Sequence, residues 1–75
     1  MNNEQQAYFV RLWNEFGDEL DLEQHGSEYR AWQQIEFLQW DENSVVNRGG
    51  KWTHYDIVKL DRTTNEEEVV DGGEL

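Results

Sequence analysis

Ser27 opens a segment whose apolar residues, Ala31, Trp32, Ile35 and Leu38, recur at spacings of three and four. On a helix that spacing gathers them into one stripe, whereas a strand would divide them between two faces. The Ser27 hydroxyl can accept from the backbone of a first turn, and Glu28 puts a negative charge where the helix dipole favours it. One long helix is therefore predicted from Glu28 to about Trp40, broken by Asp41-Glu42-Asn43-Ser44. A helix with one apolar stripe needs a surface to cover it, and the rest of the chain must supply that surface.

The flanking segments read as strands. Tyr8-Phe9-Val10-Arg11-Leu12-Trp13 is rich in aromatic and β-branched residues, and Leu20-Asp21-Leu22-Glu23 alternates apolar with acidic. Asn14-Glu15-Phe16-Gly17-Asp18 between them is turn material, so a hairpin is predicted. The competing pattern is a helix from about Asn3 to Phe16 capped by Gly17, which the spacing Phe9, Leu12, Trp13, Phe16 would also satisfy. Val45-Val46 and Lys51-Trp52-Thr53 flank Asn47-Arg48-Gly49-Gly50, read as a turn. Trp52 to Leu60 is a strand by composition, Arg62-Thr63-Thr64-Asn65 a turn, and Glu67 to Val70 a short last strand. The expected fold is α+β: a small single domain over residues 1–75 with an antiparallel sheet, one helix packed on one face, and order β-β-α-β-β. Residues from about 71 are expected to form a mobile acidic tail. In the first strand Tyr8, Val10 and Leu12 point one way and Phe9 and Trp13 the other, so both sheet faces are apolar there.

Seventy-five residues leave no room for a second core, and a domain of this size hides only about 60% of its unfolded surface. With no Cys there is no disulfide and no thiolate metal site, so four Trp, three Tyr and three Phe must carry the fold. The amino terminus, Met1 to Gln6, lacks a basic start and an apolar run, and nothing approaches the roughly 20 apolar residues of a membrane span. A cytoplasmic location with no membrane association is expected.

The formal charge of −11 opposes direct binding of nucleic acid and speeds encounter with basic protein surfaces. Its distribution is blocked. Glu15, Asp18, Glu19, Asp21, Glu23 and Glu28 follow one another without a Lys or Arg, as do Glu66, Glu67, Glu68, Asp71 and Glu74, while residues 43–62 are basic on balance. Glu19, Asp21 and Glu23 would form a row of carboxylates spaced about 6.6 Å apart on the strand face opposite Leu20 and Leu22. Such a row repels itself and adds nothing to stability. The competing explanation is a solvated face whose acidity serves solubility.

Catalytic patterns are missing: no nucleophile elbow, no His pair in helical register, no calcium loop. Arg48-Gly49-Gly50-Lys51 lacks the spacing of a phosphate loop, and His54 with Asp56 on one side of a strand reads as a polar pair sooner than as a base and its orienter. No enzymatic activity, cofactor or metal is expected. The expected function is that of an acidic binding protein, an inhibitor or regulator occupying the basic surface of a nucleic-acid-handling enzyme or complex as a DNA mimic. The residues expected to bind the partner are Glu15, Asp18, Glu19, Asp21, Glu23, Trp13, Trp40, Trp52, Glu66, Glu67 and Glu68. In size, acidity, aromatic content and lack of a catalytic signature the chain is similar in overall character to short early phage proteins that inactivate host nucleases, polymerases or defence complexes. That likeness rests on no motif and carries over no site residues. The alternative is a structural or assembly module, in one form a homodimer closing the second sheet face.

Overall fold

A strand with apolar residues on both sides belongs in the middle of a sheet, and the first segment takes that place. The computed structural model describes residues 5–75, so the amino-terminal reading lies partly outside the described residues. Strand β1, Gln6–Trp13, lies between β2, Glu19–Asp21, and β3, His54–Asp61; β4, Glu66–Glu74, flanks β3. All pairings are antiparallel, in the order β2-β1-β3-β4. Helix α1, Glu28–Trp40, covers one face, and a short helix α2, Val45–Gly49, follows it. The α+β architecture is thus the one the alternation and the helical stripe predict.

Packing follows register. Leu12 stands opposite Leu20 and Tyr55, and Val10 opposite Ile57. These side chains meet Ala31 and Ile35 of α1 in the core, with Tyr8, Leu22, Trp32, Val46, Trp52 and Val70 packed around them. Ser27 caps α1 as predicted, accepting from the Arg30 N–H at 3.3 Å. The β1–β2 turn is organised by buried Asn14, whose Oδ1 accepts from the N–H groups of Phe16 and Asp18 while its Nδ2 donates to Asp18 and to the Lys51 carbonyl. Gly17 supplies the positive φ of 90°. The competing helix through Phe16 is not formed, and Phe16 is 91% exposed.

Three expectations need correction. Val45-Val46 and Asn47-Arg48-Gly49, the latter read as part of a turn, form α2, with Gly50 as its left-handed cap at φ 59°. The reason lies in Ser44 and Asn47: the Ser44 hydroxyl donates to the Leu38 carbonyl at 2.5 Å, and Asn47 Nδ2 donates to the carbonyls of Leu38, Gln39 and Asp41. The turn thus satisfies acceptors that the end of α1 leaves open. Glu23 falls outside β2, because the chain leaves the ladder after Leu22 bonds Val10 and rejoins it at His25.

The third correction is the expected tail from about 71, which is strand. β4 pairs with β3 up to Glu74, opposite His54, and the Leu75 N–H donates to Thr53. Gly72 and Gly73, which read as tail residues, permit close contact with β3: a Cβ on Gly72 would lie 3.0 Å from the Tyr55 carbonyl oxygen, and one on Gly73 3.3 Å from the Tyr55 ring. Tyr55 is held in the core and cannot yield easily. Gly73→Val is therefore expected to cost about 1–3 kcal/mol, the range for overpacking. It should also speed amide exchange over residues 71–75; unchanged exchange there would contradict this account of the glycines.

The β3–β4 turn has its own anchor. The Asp61 carboxylate accepts from the hydroxyl and N–H of Thr63 at 2.5 and 2.9 Å. The Thr63 hydroxyl first, then the N–H groups of Thr63 and Thr64 and the charge of Lys59, hold this carboxyl below the ordinary range. A depressed folded value stabilises above the unfolded value of about 3.9 and ceases to do so as pH falls through the folded one. Asp61→Asn should accordingly lower the melting temperature at neutral pH, with the deficit shrinking below about pH 4. Paired thermal melts across that interval would reveal a constant deficit if the charge were irrelevant.

Candidate protein-binding surface

The face of the sheet turned away from α1 is built by the alternate residues of each strand, and their register sets them in rows. One row crosses all four strands: Glu19, Trp13, His54 and Glu74. Trp13 and His54 stack with ring centroids 4.2 Å apart and planes at 16°, and His54 Nε2 lies 4.0 Å from Glu74. The next row is Asp21, Arg11, Asp56 and Gly72, and the third brings Phe9 and Val58 beside Val69.

Arg11 ties these rows together. Its Nε donates to Asp21 at 2.7 Å, its Nη2 donates to Glu67 at 3.1 Å, and its guanidinium lies over the Phe9 ring at 5.4 Å. The hydrogen bond to Asp21, aided by Glu67 and opposed by burial, raises its pKa and keeps it charged. The face therefore carries the Trp13–His54 stack and the charged Arg11 and Asp56 on its central strands, with Phe9 and Val58 buried, and carboxylates on both outer strands, Glu19 and Asp21 on β2 and Glu67 and Glu74 on β4. Among the described residues, no helix packs on it.

Of the residues singled out from sequence, Trp13, Glu19, Asp21 and Glu67 come together here. Glu15 and Asp18 sit in the adjoining turn, where Asp18 also approaches Lys51 at 3.6 Å. Glu66 and Glu68 lie at the far end of β4, near Gln6, Lys59 and Asp61, and Glu23, past the end of β2, borders a groove with His25, Arg30 and Phe37. The two remaining tryptophans belong elsewhere: Trp52 packs at the core margin under Lys51, while Trp40 is 82% exposed at the end of α1. Phe16, at the tip of the turn between Glu15 and Asp18, was not singled out. Its signal was available in the sequence as an aromatic inside a turn run, since an aromatic in a rigid turn has little core to enter.

The His54–Asp56 pair read from the strand spacing is not the contact His54 makes, since its Nε2 faces Glu74 at 4.0 Å. His54 Nδ1 bonds the Thr53 hydroxyl at 2.8 Å, and His25 Nε2 bonds Gln34 at 2.7 Å. The described residues contain no group of three or more His, Cys, Asp or Glu side chains placed to hold a metal ion, and no helix among them is long and apolar enough to cross a membrane. Comparison of the chain with protein-family models, curated proteins and solved structures finds no match.

Proposed function

We propose that this chain is a non-catalytic acidic binding protein that inhibits or regulates a nucleic-acid-handling partner by occupying its basic, nucleic-acid-binding surface. The observation that carries the reading is the pair of acidic strands bounding the open sheet face. Three strand spacings put the β2 and β4 backbones about 14 Å apart, with Glu19 and Glu74 as rails at the two ends of one row, while Asp21 and Glu67 lean inward onto the same Arg11 Nη2 at 3.2 and 3.1 Å. Between the rails, Trp13 and His54 offer a flat aromatic centre, the kind of element that anchors tight interfaces. Arg11 reduces the charge of Asp21 and Glu67 and at the same time fixes their positions.

The test is competition. The protein is used to capture a partner from cell extract, and labelled duplex DNA is then added to the purified complex. Duplex is expected to displace the protein, because both would occupy one surface, and the chain alone should not bind duplex at physiological salt, given its charge of −11. A complex that persists under saturating duplex would overturn the reading.

A further inference from the structure

Helix α1 carries a second apolar surface that the core does not use. Ala31, Ile35 and Leu38 are buried against the sheet, but Tyr29, Phe37 and Trp40 are 70, 55 and 82% exposed. With Gln33 they follow spacings of four, four and three, which places them on one outward stripe. At about 150–250 Å² per aromatic side chain, these exposures leave on the order of 400 Å² of aromatic surface along the stripe, interspersed with the exposed Gln33 and Glu36. Patches of that size on small monomers are commonly binding sites. The stripe lies on the opposite side of the molecule from the acidic sheet face.

The charge at the Trp40 end of the stripe selects its occupant, whereas beside Phe37 the charges of Arg30 and Glu23 balance. Glu36 lies one turn before Trp40, and Asp41 and Glu42 follow it, lining a groove with Trp40. The last turn of α1 contains no basic residue, so the negative end of the helix dipole is uncompensated there. Ser44 and Asn47 satisfy its carbonyls as hydrogen-bond acceptors but, being neutral, leave the charge in place. A second copy would bring another chain of charge −11 against this negative end. A Lys or Arg over the Trp40 ring would instead gain both cation–π attraction and nearby carboxylates. Apolar side chains one and two turns away would then rest on Phe37 and Tyr29.

We infer that the outer face of α1 is a docking surface for a basic amphipathic protein segment, with Trp40 receiving a cation and Phe37 and Tyr29 receiving apolar side chains. This goes beyond the reading of the sheet face and does not depend on it. One chain could then hold two protein elements, one on each side of its sheet.

The probes are two synthetic peptides of equal length and charge, one of Leu and Lys in helical register and one of Ser and Lys. Calorimetry should find the Leu-Lys peptide at least about tenfold tighter, and the tryptophan emission should shift to the blue on binding, a shift that Trp40→Ser removes. Phe37→Ser with Trp40→Ser should abolish that preference, and a far-UV circular dichroism spectrum matching wild type certifies that the variant is folded. Equal affinities for the two peptides, or a preference that survives the double variant, would overturn the inference. So would sedimentation showing a wild-type dimer that Trp40→Ser dissociates, because a second copy would then be the occupant. Displacement by duplex DNA reads the sheet face separately, so either proposal can fail while the other stands.

Discussion

Leu12→Ala is expected to unfold much of the protein at room temperature. Leu12 is fully buried in the central strand, between Leu20 on one side and Tyr55 on the other, beneath α1. Truncating a buried leucine costs about 2–5 kcal/mol, the upper part where the surroundings cannot collapse into the space. A strand held by ladders on both edges has little freedom to close such a cavity. A core of this size rarely supplies more than about 3–5 kcal/mol of net stability, and no disulfide adds to it. The loss therefore rivals the whole. Urea titration should give a midpoint near zero denaturant for Leu12→Ala, whereas Phe16→Ala, at a side chain exposed to solvent, should stay within about 0.5 kcal/mol of wild type. Comparable losses at the two sites would mean that the core does not sit between α1 and the sheet.

Reversing the charge of the β2 side should cripple partner association while sparing the fold. The choice of residues matters here. Asp21 is bonded to Arg11, and Asp18 to Asn14, so lysines at those positions would break contacts that hold the turn and the sheet. Glu15, Glu19 and Glu23 are exposed, and replacing them with Lys leaves those contacts intact. If the acidic rails meet a basic groove, the triple lysine variant should associate at least about tenfold more slowly at low salt, within the range that electrostatic steering spans. The difference should narrow as the Debye length falls from about 30 Å at 0.01 M to about 8 Å at physiological strength. The corresponding Gln variant should fall between the two, because it removes attraction without adding repulsion. Association kinetics of all three proteins with the captured partner provide the measurement. Rates unaffected by the lysines would leave acidity as a matter of solubility.

Much of the architecture was legible because it rests on local signals. A capping serine, a stripe at helical spacing and a two-sided apolar strand each depend on neighbours within a few residues, and each forms where its pattern lies. The candidate site was less legible. Sequence spacing placed Glu19 and Asp21 on one face of a strand, but that Glu67 joins them depends on β4 pairing with β3 and on Arg11 reaching across Phe9. Trp13, Trp40 and Trp52 look alike in composition, yet stacking, exposure and core packing separate them.

By itself the sequence determined a helix from Glu28 to Trp40, a hairpin before it and a sheet to cover it, because hydrophobic period and turn chemistry act over short range. It also determined the net charge, and with it the class of surface the protein can approach. Only the tertiary structure decided the two places where local preference gave way. Val45–Gly49 became a helix because the open carbonyls of α1 needed the Ser44 and Asn47 side chains. Gly72 and Gly73 became strand because residues without a Cβ let β4 close against Tyr55, a contact between positions distant in the chain that no local pattern encodes.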